Sequence, residues 1–304
     1  MEFLKLLEGV RSPFLDTLVG LITRLGEETI GVVILCAIFW CISKRIGYMI
    51  GVAYFLSGLT VQGMKIYFRI PRPWVADASL NPVPSALEAS TGYSFPSGHT
   101  QSAAAIFGSL GVLLKQKPVK ALCFLAVILV AFSRLYLGVH TPLDVIASLV
   151  ISFLFIFVTM IVIKNDELNK KRELVVAIVM ALYSVAVVVV AAVLYNNGAI
   201  EEVFISDCLK AAGAGIGFAV GTYIERVYIR FSEKSKNIVM QIVKFIIGIA
   251  GLLAFKEGLK LIIGTGLVVD TIRYFLTILW IVLIFPLIIK RFFEYNKPGK
   301  EEVE

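Results

Sequence analysis

Strong cations and both histidines of the chain fall within one stretch, residues 65–144, where they could bind and cleave a phosphate ester. Arginine binds phosphate oxygens through forked N–H groups, and lysine binds them as a point charge. Imidazole can act as a nucleophile or proton donor near neutral pH. Because the surrounding sequence is hydrophobic enough for a bilayer, this set predicts a site for a lipid phosphate. In chain order the candidates are Lys65, Arg72, Ser97, Gly98, His99, Arg134, His140 and Asp144.

The run Pro96-Ser97-Gly98-His99 ends a polar loop and predicts a helix that begins near His99. The free N–H groups and positive dipole of a helix N-terminus attract anions, and Gly98 would let the backbone approach one closely. The alternative is an ordinary junction in which Ser97 only caps the helix. These four residues alone leave both interpretations open.

Asp144 also has two interpretations. The run Thr141-Pro142-Leu143-Asp144 has the pattern of a capping box, with proline at the first helical position. Asp144 is equally one helical turn from His140, so its carboxylate could hold the imidazole N–H. The two roles are compatible, and we favour a catalytic one because of the neighbouring motifs.

Lys65, Arg72 and Arg134 could each be an interfacial cation whose side chain reaches water. Arg134, however, lies several residues before the next predicted outward turn, close to membrane depth. An arginine at that depth needs an anionic partner and is a functional candidate.

The composition indicates a helical membrane protein, with 58% hydrophobic residues, 17% charged residues and a mean hydropathy of +0.87. Several apolar runs approach the roughly 20 residues that cross a bilayer as a helix. The net charge of +7 lies mostly in short loops, where it orients the chain, so we expect no nucleic-acid partner. Cys36, Cys41, Cys123 and Cys208 fall in or beside apolar runs and are expected to be buried thiols.

The pattern predicts an all-α polytopic bundle of about nine spans behind an N-terminal interfacial helical pair, residues 1–26, which Pro13 divides. No signal-peptide pattern precedes it, so we expect this segment to be retained. Every second connection is basic, which predicts a cytoplasmic C-terminus and an extracytoplasmic site in a cell membrane. The predicted spans are approximately 29–43, 47–64, 99–114, 121–138, 142–163, 174–195, 208–224, 237–255 and 268–289; the basic connections are 44–45, 115–120, 164–172, 226–236 and 290–300.

Three signatures together resemble those of the type 2 phosphatidic acid phosphatase superfamily. They are Lys65 with Arg72-Pro73, then Pro96-Ser97-Gly98-His99, then Ser133-Arg134 with His140 and Asp144. The superfamily includes lipid phosphate phosphatases and undecaprenyl diphosphate phosphatases, and its pocket is shared with vanadium-dependent haloperoxidases. The resemblance covers about residues 1–163.

The resemblance implies a covalent mechanism without a metal or other cofactor. His140 would attack phosphorus and form a phosphohistidine that Asp144 stabilises, and His99 would protonate the leaving oxygen. The phosphate oxygens would be bound by Lys65, Arg72, Arg134, Ser97 and the Gly98 N–H. We therefore predict a membrane phosphatase acting on undecaprenyl diphosphate, phosphatidic acid or a similar lipid. The alternatives are a lipid transporter or flippase with the same basic pocket, which would show no turnover, and a peroxidase, which would oxidise halide.

We assign residues 1–170 to the phosphatase core and residues 171–304 to further transmembrane helices without an assigned role. Gly213, Gly217 and Gly221 form a small-residue stripe that predicts close helix packing. Asp270 and Arg273 are expected to form a pair within one helix. The second half is interpreted as either a homodimer contact or one wall of the groove through which the lipid enters.

Overall fold

The computed structural model describes residues 1–88, 90–163 and 168–293, and every regular element within them is helical. This confirms the predicted all-α class. Parts of two basic connections, residues 164–167 and 294–304, lie outside the described residues.

The N-terminal segment forms two helices, α1 (Glu2–Gly9) and α2 (Pro13–Thr23). Ser12 caps α2 by accepting from the Leu15 N–H at 3.4 Å, and Pro13 occupies the first helical turn. Proline is tolerated there because that N–H has no intrahelical partner. The division at Pro13 is therefore confirmed. Helix α3 (Glu28–Ala37) follows and runs into a π turn at Ile38–Ile42, bent by 52° from the preceding segment Pro13–Gly26.

The helices that carry the candidate residues come next. They are α4 (Lys44–Phe68), the short α5 (Pro73–Ala76), α6 (Gly98–Ala103), α7 (Ser109–Leu113), α8 (Lys117–Tyr136) and α9 (Pro142–Val162). A π turn at Ala104–Gly108 joins α6 to α7. Helix α4 ends at Arg69, whose φ of 51° is left-handed and turns the chain into the long polar loop.

The second half adds five helices: α10 (Lys170–Asn196), α11 (Glu202–Ile224), α12 (Ile238–Ile263), α13 (Leu267–Leu279) and α14 (Phe285–Phe292). The glycine stripe of α11 lies against α13, where a Cβ on Gly217 would stand 2.6 Å from the Phe275 carbonyl oxygen. The predicted close packing is confirmed, and so is the pair between Arg273 and Asp270, at 2.6 Å. The four cysteines are free and are buried or half-buried, as predicted.

Seven helices in the described ranges are long and apolar enough to cross a membrane, or eight if the bent pair Pro13–Gly26 and Glu28–Ile42 forms one span. The chain is thus a multi-pass membrane protein, but the predicted count of nine is not confirmed. The run 99–114 falls short because α6 to α7 extends only about 24 Å at ~1.5 Å per residue, less than the ~30 Å of hydrocarbon. The seven are Lys44–Ala76, Lys117–Tyr136, Pro142–Val162, Lys170–Asn196, Glu202–Ile229, Ile238–Ile263 and Leu267–Phe292.

Charged residues from several basic connections meet at one end of the bundle. Lys44, at the start of α4, pairs with Glu225 beyond the end of α11 at 3.1 Å. Arg226 pairs with Glu173, in the first turn of α10, at 3.0 Å. The starts of α4 and α10 and the end of α11 therefore share one face, and the candidate residues lie at the opposite ends of these helices.

Candidate active site

His140 lies in the turn between α8 and α9, and its two ring nitrogens face different partners. Nη1 of Arg72 lies 2.8 Å from Nε2, and Oδ2 of Asp144 lies 3.4 Å from Nδ1. Because a guanidinium can only donate, Nε2 must be the acceptor and Nδ1 must carry the proton. The arrangement selects the tautomer in which Nε2 carries no proton, and the Nε2 lone pair accepts from Arg72.

Asp144 caps α9 and faces His140 at the same time. Its Oδ2 accepts from the Thr141 N–H at 2.7 Å, and the Asp144 N–H donates to the Thr141 hydroxyl at 3.4 Å, which completes a capping box. The same Oδ2 accepts from the Ser94 hydroxyl at 2.6 Å. Both sequence interpretations of Asp144 therefore describe real contacts. Ser94 was not predicted, since a serine in a long loop gives no sequence signal.

Arg72 is buried and is held by the loop that follows it. Its Nε donates to the Gly92 carbonyl at 2.9 Å, its Nη2 to the Thr91 carbonyl at 2.8 Å and its Nη1 to the Val139 carbonyl at 3.0 Å. Three neutral carbonyls fix the guanidinium without neutralising it. A fixed, uncompensated cation is what an anionic ligand requires.

Arg134 is 1% exposed and binds hydroxyl groups rather than a carboxylate. Nη1 donates to Thr23 at 2.8 Å and Nη2 to Ser90 at 2.9 Å, while Nε has no hydrogen-bond partner within the described part of the chain. Among the described residues these contacts include no carboxylate, so the anionic partner expected from the sequence is not found within hydrogen-bond distance. Thr23 belongs to α2, so the N-terminal segment positions a core arginine.

Ser97 caps α6, as its alternative interpretation proposed. Its hydroxyl accepts from the Thr100 N–H at 3.4 Å and from the Thr100 hydroxyl at 3.0 Å. The side chain is fully buried, and its backbone N–H donates to the Asp144 carbonyl at 3.2 Å. Ser97 therefore joins α6 to α9, and its hydroxyl is already committed to the cap.

Both imidazoles line one cavity of about 340 Å³, together with Lys65, Arg72 and Gly98. His99 lies in the first turn of α6, and its Nε2 is buried without a hydrogen-bond partner among the described residues. A Cβ on Gly98 would stand 3.9 Å from the Lys65 ammonium nitrogen, so these two residues face each other. The structure thus places most of the predicted residues around one cavity. Ser97 and Arg134 do not line this cavity and lie next to it.

The charge around the cavity keeps His140 neutral. Burial lowers the pKa of His140 well below the usual 6.5, and the positive charges of Arg72, Arg134 and Lys65 lower it further. A neutral imidazole retains the lone pair that a nucleophile needs. The same cations attract an anionic substrate, so one electrostatic field serves both purposes.

The second half of the chain also reaches this cavity, through residues that were not among those predicted from the sequence. Asp207 and Lys210 of α11 line it, and their charged atoms lie 3.6 Å apart. Tyr274 of α13 lines it as well. The sequence did carry a signal for this contribution, because two opposite charges three residues apart stand at the beginning of an apolar run.

Comparisons with known proteins place both halves of the chain in one superfamily. The model of the PAP2 superfamily matches residues 46–168, and the model described as PAP2 superfamily phosphatase, transmembrane extension, matches residues 209–297. Undecaprenyl-diphosphatase BcrC of Bacillus subtilis is 35% identical over 34% of this chain and 50% of its own length. A probable sphingosine-1-phosphate phosphatase of Dictyostelium discoideum is 29% identical over 50% of this chain and 40% of its own length.

An undecaprenyl-diphosphatase of Sulfolobus acidocaldarius is 25% identical over 57% of this chain and 83% of its own length. The matched part of this chain covers half or less of the length of the first two relatives, those of Bacillus subtilis and Dictyostelium discoideum. No solved structure matches the chain.

Proposed function

Because the chain belongs to the PAP2 superfamily, we propose that it is a membrane phosphatase that hydrolyses a lipid phosphate or diphosphate through a phosphohistidine intermediate on the extracytoplasmic side. One observation carries this proposal: two imidazoles and three cations, Lys65, Arg72 and Lys210, line a single cavity, and the contacts of His140 leave its Nε2 without a proton.

In the first chemical step, His140 Nε2 attacks phosphorus while the bond from phosphorus to the leaving oxygen breaks. Burial and the positive charges of Arg134, Lys65 and Arg72 lower the pKa of His99 to about 3 in the protein alone. The negative charge of the bound phosphate opposes this shift, and His99, once protonated on both ring nitrogens, gives one proton to the leaving oxygen. Asp144, facing Nδ1, stabilises the positive charge that develops on the ring of His140.

In the second step, water attacks the phosphohistidine and the bond from phosphorus to Nε2 breaks. His99, now neutral, takes the proton from water, and inorganic phosphate leaves. The lipid alcohol, or the lipid monophosphate when the substrate is a diphosphate, has already left in the first step. Arg72 already donates to Nε2 at 2.8 Å. A phosphoryl group bonded to that nitrogen would therefore have its oxygens within reach of the same guanidinium, which stabilises the transition state of both steps.

The chemistry of the cavity supports a diphosphate as the preferred substrate. Lys210 lies in the wall contributed by α11, beyond Lys65 and Arg72, and is paired with Asp207 in the protein alone; a second phosphate could take the place of that carboxylate. Two of the relatives are named as undecaprenyl-diphosphatases, which agrees with that preference. The extracytoplasmic location is supported by the cluster of basic connections at the opposite end of the bundle.

The direct test is phosphate release from a panel of purified lipid phosphates and diphosphates in detergent. We expect His140→Ala and His99→Ala to abolish release while expression and thermal unfolding stay near those of the unmodified protein. Tyr67→Ala, at an exposed position on the last turn of α4, controls for handling. Binding without turnover of any lipid would favour the transporter hypothesis instead.

A second measurement separates the two histidines. With p-nitrophenyl phosphate, the leaving group needs little protonation, so His99→Ala should still form the intermediate but should hydrolyse it slowly. Acid-labile, base-stable phosphate should then accumulate on the protein, and none should form in the His140→Ala variant. Equal labelling of both variants would contradict the assigned roles.

A further inference from the structure

A second cavity of about 210 Å³ lies among α3, α12 and α13. Apolar side chains dominate its lining, mainly Val32, Val33, Ile249, Leu252, Leu253 and Ile278. Two of the three helices belong to the transmembrane extension. We call this cavity the α3–α12 groove.

The groove adjoins the catalytic cavity. Glu28, at the start of α3, and Tyr274, on α13, line both of them. A ligand could therefore occupy the two cavities at once, with a polar end beside the histidines and an apolar end between α3 and α12.

The groove is also accessible from the outside of the bundle. Val33 is 37% exposed and Leu253 is 55% exposed, and they come from α3 and α12 respectively. An apolar side chain exposed at that depth of a membrane helix faces hydrocarbon, because the bilayer core contains no water. The groove thus opens towards lipid chains.

Polarity changes along the groove in the direction that a lipid phosphate requires. Lys256 lines it on the same face of α12 as Leu253 and Leu252, and Arg273 lines it from α13. These polar groups and Glu28 mark the end near the catalytic cavity, and the aliphatic residues mark the other end. The phosphate headgroup of a lipid would lie near the polar end of the groove, and its hydrocarbon tail would lie among the aliphatic residues.

Resting on the proposed function, we propose that the α3–α12 groove receives a hydrocarbon chain of the lipid while its phosphate occupies the catalytic cavity. The extension would then form one wall of the substrate path and would restrict which tails reach His140. A tail gains little energy on passing from the bilayer to such a groove, because both are apolar. The groove should therefore govern access and chain selectivity more than affinity.

The experiment compares two substrates with one headgroup, dioleoyl and dihexanoyl phosphatidic acid, in the full-length protein. Leu253→Trp and Val33→Trp obstruct the groove from its two walls. Ile246→Trp is the matched control, since Ile246 is 59% exposed on α12 and does not line the groove. Each tryptophan in the groove should occupy space that the long tail needs, so kcat/KM for the dioleoyl lipid should fall about 10-fold. The short tail needs less of that space, so kcat/KM for the dihexanoyl lipid should change less than about 3-fold.

An equal loss on both substrates, or no loss on either, would overturn the groove assignment. So would an unchanged ratio of rates accompanied by a shift in oligomeric state, which would indicate that a second copy of the chain covers this face. Leu253→Ala and Val33→Ala guard against misfolding, because they should preserve or raise dioleoyl turnover. Failure of the unmodified protein to release phosphate from any lipid phosphate or diphosphate, including the dihexanoyl lipid, would instead refute the proposed function.

Discussion

Replacing Asp144 by asparagine separates its capping role from its role beside His140. Asparagine keeps one oxygen that can accept from the Thr141 N–H or the Ser94 hydroxyl, both of which now bind Oδ2. Its amide is neutral, however, so the negative charge that faces Nδ1 of His140 is lost. The positive charge that develops on the imidazole as Nε2 attacks phosphorus would then have no carboxylate to stabilise it.

The expected loss in kcat is about 10³- to 10⁴-fold, the size seen when the carboxylate beside a catalytic imidazole is replaced by its amide, or roughly 4–5 kcal/mol of transition-state stabilisation. The cost in folding free energy should be only about 1–2 kcal/mol, because the cap persists and one charge-assisted hydrogen bond is weakened. Phosphate release in detergent measures the first quantity, and thermal unfolding of the same sample measures the second.

Thr141→Ala is the matched control. It removes the hydroxyl that accepts from the Asp144 N–H at 3.4 Å and leaves the carboxylate in place. It should cost about 1 kcal/mol of folding free energy and change kcat less than about 10-fold. If Asp144→Asn reduced kcat no more than Thr141→Ala does, Asp144 would be a helix cap alone and the catalytic interpretation would be refuted.

Arg134→Lys should lower the thermal midpoint and kcat/KM together, because an ammonium group cannot reproduce the forked contacts to Thr23 and Ser90; unchanged values would contradict this. Gly217→Ala should destabilise the fold by about 1–3 kcal/mol, because its Cβ would meet the Phe275 carbonyl at 2.6 Å, and unfolding in detergent would measure it. Burial lowers the pKa of His140 below 6.5, so the nucleophile should stay neutral near that pH. A plot of kcat/KM against pH should therefore show no loss of activity near pH 6.5 that arises from protonation of His140. Below that pH the unfolded imidazole binds a proton that the folded one excludes, so stability should fall as pH drops. EDTA should leave phosphate release unchanged, since protein cations bind the phosphoryl oxygens; a magnesium requirement would contradict the proposed mechanism.

Features that depend on residues close in sequence were predicted well. The capping box of α9, the cap at Ser97 and the break at Pro13 each involve residues within one helical turn, and the structure has all three. The span count was less successful. An apolar run shows that a segment suits hydrocarbon, but the α6–α7 segment is too short to cross it alone, and packing decides how such a segment is accommodated.

Contacts between distant parts of the chain could not be read from the sequence. Two of the three carbonyls that hold Arg72 belong to a loop about twenty residues away, and the third is that of Val139. One of the two hydroxyls that bind Arg134 comes from Thr23 on α2. No periodicity links such residues, because their proximity results from how the loop and the helices fold over one another. Ser94 and Lys210 were missed for the same reason.

The sequence by itself determined the helical membrane class, the identity of the charged and imidazole groups, and the local caps, because these depend on residue type and on spacing within a turn. Only the tertiary structure decided that both imidazoles share one cavity, which ring nitrogen of His140 lacks a proton, and that α11 and α13 complete the cavity walls. Those outcomes depend on the relative placement of helices that are far apart in the chain, and packing alone sets that placement.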